Sequence, residues 1–497
     1  MALPRNFSRG VSRLDAQVLS KHEVRRPGTR IANERLTALP LALTLVFIST
    51  GMAYSLWWPD IVRHTPYYWA DPSDIWSSVR AAHFVQWGGL SYVYSYHSSL
   101  LTLPGFDILL APVAAICSAL KLSESSPIIP LYKPQAWLVI GPYCLAFSGL
   151  VLFGADALAR SLSISRGRRR VLVIACVAAV WPAVAMWGHP EDAVALGLAA
   201  YALLALSRDR MVLAGWLLGG AIAMQLFVVL IVPVFIGIAG LRKATAMLMR
   251  AAVLPGFLLV AVLVPDFHDA VWTLTHQPGY PSILHPTPWM GLAPRINRLE
   301  VSSGPVHFFA LAMSIGLGFL ARRWRASWPT IVWLAAVSLA VRCVFEPVMV
   351  PYYVMPPVVL ALVVGAARGR LRWSLTLAAG LGVTVMTFSH ASEWTYWCEM
   401  TALLIAMFVL ARPRFAIEID QASTSRPWVV PLPNGEPDRE VAEMSLLEDA
   451  PARALQATSV QCPSHSQRSP LGNRRRRTIG SFWCSPDNPR GEGCVAW

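Results

Sequence analysis

Charge is what this chain has least of. Only 14% of its 497 residues are Asp, Glu, Lys or Arg, against roughly a quarter in an ordinary soluble domain. Together with 55% hydrophobic residues, that deficit excludes a conventional water-soluble globular protein. Acids are the scarcer sign, 28 against 42 basic residues, which leaves a formal charge of +14. Cysteines are few and scattered: Cys117, Cys144, Cys176, Cys343 and Cys398 lie in or beside apolar segments, and Cys462, Cys484 and Cys494 lie near the C-terminal end. Neither a metal-ligand spacing nor a paired framework emerges from them, so they read as small packing residues. No P-loop or GxGxxG stands in a suitable context, and no nucleotide-binding fold is expected. A cleavable leader is not expected either, because about 36 polar residues precede the first apolar run. That run reads as an uncleaved signal anchor.

What the chain does have is long apolar runs, recurring from Leu39 to Ala411. About 20 such residues match the hydrocarbon thickness of a bilayer. The excess of basic residues invites a nucleic-acid reading, but Arg and Lys fall mostly in short loops between apolar runs, where the positive-inside bias explains them. Nucleic acid is therefore not expected as a partner; membrane lipids are. Residues 1–36 are polar and basic, which predicts a cytoplasmic N-terminus. Spans are predicted near 40–58, 136–160, 171–187, 192–206, 210–224, 226–240, 249–265, 304–321, 328–345, 350–367, 373–389 and 393–411. They make an all-α integral membrane domain over 37–411 with about twelve transmembrane helices (11–13) and both termini cytoplasmic.

The segment 99–120 decides that topology. If it spans, the basic clusters Arg166 to Arg170, Arg208/Arg210, Arg242-Lys243, Arg322/Arg323/Arg325 and Arg368/Arg370/Arg372 all fall outside. If it lies in the outer interface or re-enters, all five fall inside at once, as the charge bias requires. Pro104, Gly105, Asp107 and Pro112 also suit a broken membrane-surface helix. The whole of 59–135 is therefore read as one large extracytoplasmic loop, and 266–303 as a second. The apolar run interrupted at Gln225 has basic flanks on both sides and reads as a helical hairpin with Gln225 at its outer turn; one long tilted helix is the alternative. No repeat of fixed period is present. From Arg412 the composition turns to Pro, Ser, Arg and Glu, which predicts a disordered cytoplasmic tail over 412–497, with Arg474 to Arg477 suited to anionic headgroups.

Polar chemistry concentrates in the outer segments. The stretch from Trp69 to Tyr94 interleaves aromatics with Asp71, Asp74, Arg80 and His83. With helical geometry Asp71 and Asp74 share a face, and Asp71 before Pro72 suits an N-cap. Asp74 would then project from the helix N-terminus, where a carboxylate can take a proton as a general base. Arg80 suits a phosphate, or an ion pair with Asp74. Gly188-His189-Pro190-Glu191-Asp192 gathers His189, Glu191 and Asp192 in one tight outer turn; the helix dipole alone favours such acids, and clustered ionisable groups also mark sites. The spacing is not that of a metal motif. Arg342 sits inside an apolar run, where a cation seeks a cavity or an anion. A phosphate is one partner, and Glu346 one turn on is the other. Arg295 and Arg298 in the second loop, and Tyr352 at the opening of the tenth span, complete the candidates.

These features resemble the GT-C superfamily of polytopic glycosyltransferases, in particular the bacterial polyprenyl-phosphate-sugar-dependent enzymes that include mannosyltransferases of lipoglycan assembly. In that group the first outer loop carries an acid ahead of an aromatic and a short helix ending in Gly-Gly and Tyr. Here that reads Asp74-Ile75-Trp76, Arg80-Ala81-Ala82, Gly88-Gly89 and Tyr92/Tyr94, followed by Leu109-Leu110-Ala111-Pro112. The Gly-rich turn at Gly188 and the element Ala214-Gly215-Trp216-Leu217-Leu218-Gly219, with Pro233 beyond it, extend the likeness, which covers roughly 40–410. Relatives often place Lys where this chain has Gln225.

The resemblance implies transfer of a sugar, mannose favoured, from a polyprenyl-phosphate donor to a lipid-linked or cell-envelope glycan acceptor with inversion, at the plasma membrane. It makes Asp74 (or Asp71) the base, with phosphate and substrate contacts from Arg80, His189, Glu191, Asp192, Gln225, Arg295, Arg298, Arg342 and Tyr352. No metal or other cofactor is implied. The alternative is a transporter or lipid flippase of envelope precursors, which predicts polar residues at mid-bilayer depth.

Overall fold

The computed structural model describes residues 28–62, 69–94, 102–125, 131–276, 278–279, 285–298, 300–302, 304–389 and 393–413. The segment 1–27 and the tail from 414 onward, with the disorder and headgroup expectations attached to them, lie outside the described residues. Helix α1 (Gly28–Val62) leads into two short helices, α2 (Ile75–Gln86) and α3 (Gly105–Ala119). Next come α4 (Trp137–Ser148), α5 (Leu150–Ser161), α6 (Arg166–Trp181), which runs into a π-turn at Pro182–Met186, α7 (Pro190–Ser207) and α8 (Met211–Met224). A 3₁₀ segment Leu226–Ile231 joins α9 (Val232–Ala239), followed by α10 (Leu241–Leu263) and α11 (Phe267–Thr275). The remainder is α12 (Val306–Arg323), α13 (Trp328–Phe345), the 3₁₀ segment Pro351–Val354, α14 (Met355–Ala366), α15 (Arg370–Met386) and α16 (Glu393–Ala411). Four two-residue strands pair antiparallel: β1 (Pro278–Gly279) with β3 (Val301–Ser302), and β2 (His285–Pro286) with β4 (Val348–Met349).

Eight helical stretches among the described residues are long and apolar enough to cross a membrane, Ala38–Ile61, Trp137–Ser161, Arg166–Met186, Pro190–Ser207, Leu241–Leu263, Val306–Arg323, Trp328–Phe345 and Trp394–Ala411. Shorter apolar helices cover Gly105–Ala119, Met211–Met224, Leu226–Ala239 and Pro351–Ala366. The protein is thus a predominantly helical, multi-pass membrane protein. The middle and far end of α10 expose apolar side chains, Met249, Val253, Phe257 and Val260, while α7 and α14 are buried along nearly their whole lengths.

Several boundaries differ from the sequence expectation, each for a local reason. The expected span 226–240 is split, because Gln225 is extended (φ −157°, ψ 126°) and Pro233 can enter a helix only in its first turn. The expected span 350–367 yields its helix only from Met355, after Pro351 and ahead of Pro356 and Pro357. Helix α10 starts at Leu241 rather than 249, directly after Gly240 turns the chain at φ +73°. The second loop holds a helix, α11, capped by the Asp266 carboxylate accepting from the Asp269 amide. Pro112 does not break α3, which runs unbroken to Ala119.

One end of the bundle collects the basic turns. Arg160 and Arg169 both donate to the Asp156 carboxylate, Arg169 through Nε at 2.9 Å. Arg168 donates to the Ala366 and Arg368 carbonyls, and Trp328 Nε1 donates to Ser161 Oγ. Lys243 meets Asp209 at 2.7 Å. Since Gln225 sits against Asp192 at the far end of α7 while Lys243 is back at Asp209, the chain reverses at Gln225, and one long tilted helix is ruled out. Close helix contact holds this arrangement: a Cβ on Gly215 or Gly219 of α8 would lie 2.6 Å from the Met247 or Ala251 carbonyl of α10, the small-residue packing of membrane helices.

Candidate active site

The opposite end brings the first polar loop onto the start of α7. Residues 69–74 lie across the turn that follows the π-turn, and Gly188 makes the crossing feasible. Its φ is +78°, and a Cβ there would sit 2.8 Å from Pro72 Cβ and 3.1 Å from the Ile75 amide nitrogen. Only glycine suits both the conformation and the contact. His189 follows directly and reaches across to Asp74, with Nε2 3.1 Å from Oδ2. Its Nδ1 lies 2.7 Å from Glu191 Oε1. The Tyr352 ring stacks on the imidazole at 3.7 Å between centroids, and Trp187 flanks Tyr352 at 6.1 Å.

Helix α2 begins at Ile75, so Asp74 occupies the N-cap position, its side chain free of any capping bond. Asp71 was expected there; the structure places it three residues upstream, where its Oδ2 accepts from Trp76 Nε1 at 2.7 Å. That hydrogen bond and the seat of Pro72 against Gly188 keep the first turn from starting at Pro72. The two acids therefore differ. Asp74 has 48% of its side chain exposed, and its Oδ1 accepts only from the neighbouring Ser73 hydroxyl at 3.0 Å. Burial alone raises the Asp74 carboxyl, but the hydrogen bond and charge of His189, with the Ser73 hydroxyl, outweigh it and hold it below its ordinary value. Burial wins for Asp71, whose carboxyl is raised despite the Trp76 bond. His189 is pulled down by burial, yet Glu191, Asp74 and Asp192 raise it to about 10, so at neutral pH it is an imidazolium donating to both carboxylates.

Beside this group, Gln225 Nε2 donates to Asp192 Oδ1 at 2.7 Å. Asp192 also lines a narrow cleft with Phe227, Leu339, Arg342, Tyr353, Pro356 and Pro357. Arg342 packs its guanidinium 3.7 Å over the Tyr353 ring and gives Nε to Glu346 at 3.1 Å. Glu346 also meets His307 at 3.2 Å; burial raises its carboxyl, but His307 and Arg342 hold it low. The second loop and α16 clamp this corner: Thr287 donates to the Glu346 carbonyl, and the indoles of Trp289 from the loop and Trp397 from α16 both donate to the Val344 carbonyl.

Asp74, His189, Glu191, Asp192, Gln225, Arg342 and Tyr352 thus gather at one end of the bundle. Three predicted residues do not join them. Arg80 is exposed on α2 with no ion pair to Asp74 among the described residues, and Arg295 and Arg298 are exposed in the second loop. Sequence reading missed Tyr353, His307 and Asp107 as members. Asp107 is fully buried in the first turn of α3. Burial, then the charge of Glu191, pushes it far above its ordinary value. Its signal, an acid within an apolar segment, was visible but read only as a helix breaker. Among the described residues no group of three or more His, Cys, Asp or Glu side chains is placed to hold a metal ion. Comparison with known proteins finds no matching family model and no matching curated protein.

Proposed function

We propose that this chain is a membrane glycosyltransferase that moves a sugar, mannose favoured, from a polyprenyl-phosphate donor to a lipid-linked or envelope glycan acceptor. One observation supports it above the rest: a half-exposed carboxylate, Asp74, is kept ionised by a His189–Glu191 pair beside a cleft lined by a cation, Arg342. In this reading Asp74 takes the proton of an acceptor hydroxyl. The hydroxyl oxygen forms its bond to the anomeric carbon from the face opposite the phosphate, the bond from that carbon to the phosphate oxygen breaks, and configuration inverts. The leaving polyprenyl phosphate gains negative charge, which the terminal N–H groups of Arg342 stabilise, since Glu346 takes only Nε. The scaffold completes the proposal: about twelve crossings in a GT-C-like arrangement, basic turns and termini cytoplasmic, the Asp74 end extracytoplasmic at the plasma membrane.

The experiment is sugar transfer from a radiolabelled polyprenyl-phosphate sugar by membranes carrying the protein. Asp74→Asn is expected to lose about 10²–10⁴-fold in rate, and Asp71→Asn much less. Full activity of Asp74→Asn removes the assignment. Movement of the intact lipid without bond cleavage favours the flippase reading instead.

A further inference from the structure

Ser49, Ser148, Ser161 and Ser207 turn their hydroxyls back on their own helices, donating to the Leu45, Cys144, Leu158 and Leu204 carbonyls. Ser118, in the last turn of α3, does otherwise. Its Oγ lies 3.4 Å from His83 Nδ1 on α2, and His83 Nε2 lies 2.7 Å from Glu124 Oε2. A carboxylate at that distance accepts the Nε2 proton. In the neutral ring Nδ1 is then the open acceptor, and the Ser118 hydroxyl donates to it. A nucleophile, a base and a group that orients the base thus stand in one line, which is the arrangement that activates a serine.

That line is held from both sides. Val79 and Ala82 of α2 share one core with Leu110, Ala114 and Cys117 of α3, and Gln86 Nε2 donates to the Ala111 carbonyl at 3.0 Å. Lys121 closes α3 at φ +55°, with the Leu122 amide on the Cys117 carbonyl. Glu124 then sits between two anchored serines: Ser123 accepts from the Ala136 and Gln135 amides, and the Ser125 hydroxyl accepts from the Leu131 amide. Access falls off inward. Ser118 is exposed, while His83 and Glu124 keep 16% and 25% of their side chains open. The largely exposed Trp87 indole, its centroid 6.3 Å from that of the His83 ring, forms an apolar wall beside the pair. Lys121, exposed three residues on from Ser118, is the cation nearest to it in sequence.

We infer that Ser118, His83 and Glu124 form a second catalytic site, a serine esterase for carboxylic esters with a small apolar acyl group. It stands apart from the Asp74 group and does not rest on the glycosyl-transfer reading. Ser118 Oγ forms its bond to the ester carbonyl carbon as His83 Nδ1 takes its proton. The bond from that carbon to the alcohol oxygen breaks, and the alcohol leaves with the proton. Water, deprotonated by the same nitrogen, then releases the carboxylic acid and restores the serine hydroxyl. Ser118 and His83 are the catalytic residues, and Glu124 positions the ring. The Glu124 hydrogen bond raises the imidazole above its ordinary 6.5, against the pull of burial. The base acts in its neutral form, so the rate falls as pH drops through that raised value.

The test exposes full-length protein in lipid nanodiscs to a fluorophosphonate probe, reads the modified peptide by mass spectrometry, and follows turnover with p-nitrophenyl butyrate. The wild type is expected to be labelled at Ser118 and to hydrolyse the ester. Ser118→Ala should lose both at unchanged Tm, since the side chain is exposed. His83→Gln should slow labelling roughly 10²-fold. In Glu124→Gln the acid limb of the labelling rate should move to lower pH. An unlabelled wild type of normal Tm overturns the inference, as does probe on another serine with Ser118 untouched. Equal labelling rates in wild type and His83→Gln, or an unmoved acid limb in Glu124→Gln, overturn it as well. Because the readout is a covalent adduct on Ser118, a failure here is distinct from a failure of sugar transfer, which Asp74→Asn tests separately.

Discussion

At the scale of single residues, the decisive feature is how His189 tunes Asp74. A carboxylate in that half-exposed, partly desolvated position would be raised by burial if nothing opposed it. The imidazolium opposes it, and His189 is itself held charged by Glu191. Replacing His189 by Gln removes the charge and leaves the burial, so the Asp74 carboxyl is expected to rise. The acid limb of the transfer rate, which reports ionised Asp74, should therefore move to higher pH, and a pH profile of kcat/KM measures it. An unmoved limb in His189→Gln would show that Asp74 does not set it. Stability carries the same signature with a definite sign. His189 is raised on folding from 6.5 to about 10, so its contribution is complete below pH 6.5 and is lost as pH climbs through about 10. Wild-type Tm should fall over that window by more than the Tm of His189→Gln.

At the scale of elements, the site exists because three segments far apart in sequence meet at one turn. Asp74 and His189 are separated by 115 positions and Asp192 and Gln225 by 33. The residue types were legible: an acid amid aromatics, three ionisable groups in five residues, a polar break in an apolar run. Their meeting was not, because a contact across 115 positions leaves no periodicity to read. The start of α2 was misread for a related reason. Asp71-Pro72 is a good local helix start, and the tertiary contacts Pro72–Gly188 and Asp71–Trp76 override it. That contact yields a prediction. Gly188→Ala places a side chain at φ +78° against Pro72 and the Ile75 amide, a strain of about 1–3 kcal/mol. It is expected to lower Tm and to cut kcat, since the turn that carries His189 must shift away from Asp74. Wild-type kcat in Gly188→Ala would mean that the loop relaxes without moving His189.

At the scale of the whole molecule, charge is sorted to the two ends, and the two ends hold it differently. The hydropathy pattern and the clustering of arginines made the apolar bundle and its basic turns legible from sequence; the ion pairs that fix those turns were not, since Asp156 looks like one more polar residue in an apolar run. Asp156 and Arg169 are both buried, whereas Asp209 and Lys243 are partly exposed. Asp156→Ala leaves the buried Arg169 without its carboxylate and should cost about 3–5 kcal/mol, while Asp209→Ala should cost about 1 kcal/mol or less. Comparing the two thermal unfolding shifts checks the contrast.

The side of the membrane proposed for each end rests on the same sorting. Arg166, Arg170, Arg208, Arg242, Arg322, Arg323, Arg325, Arg370 and Arg372 are exposed at the basic end, and short basic loops stay cytoplasmic during insertion. In the reading proposed above, Asp74 and its neighbours face outward, where a lipid-borne sugar needs no nucleotide. In a background without native cysteines, Ser73→Cys at the Asp74 end should react with an impermeant maleimide on intact cells. Gly167→Cys, in the first turn of α6 with open space around its Cβ position, should react only in inverted vesicles. The reverse pattern would put the acid in the cytoplasm, beside nucleotide-activated donors, and the mechanism proposed for Asp74 would no longer have its substrate within reach.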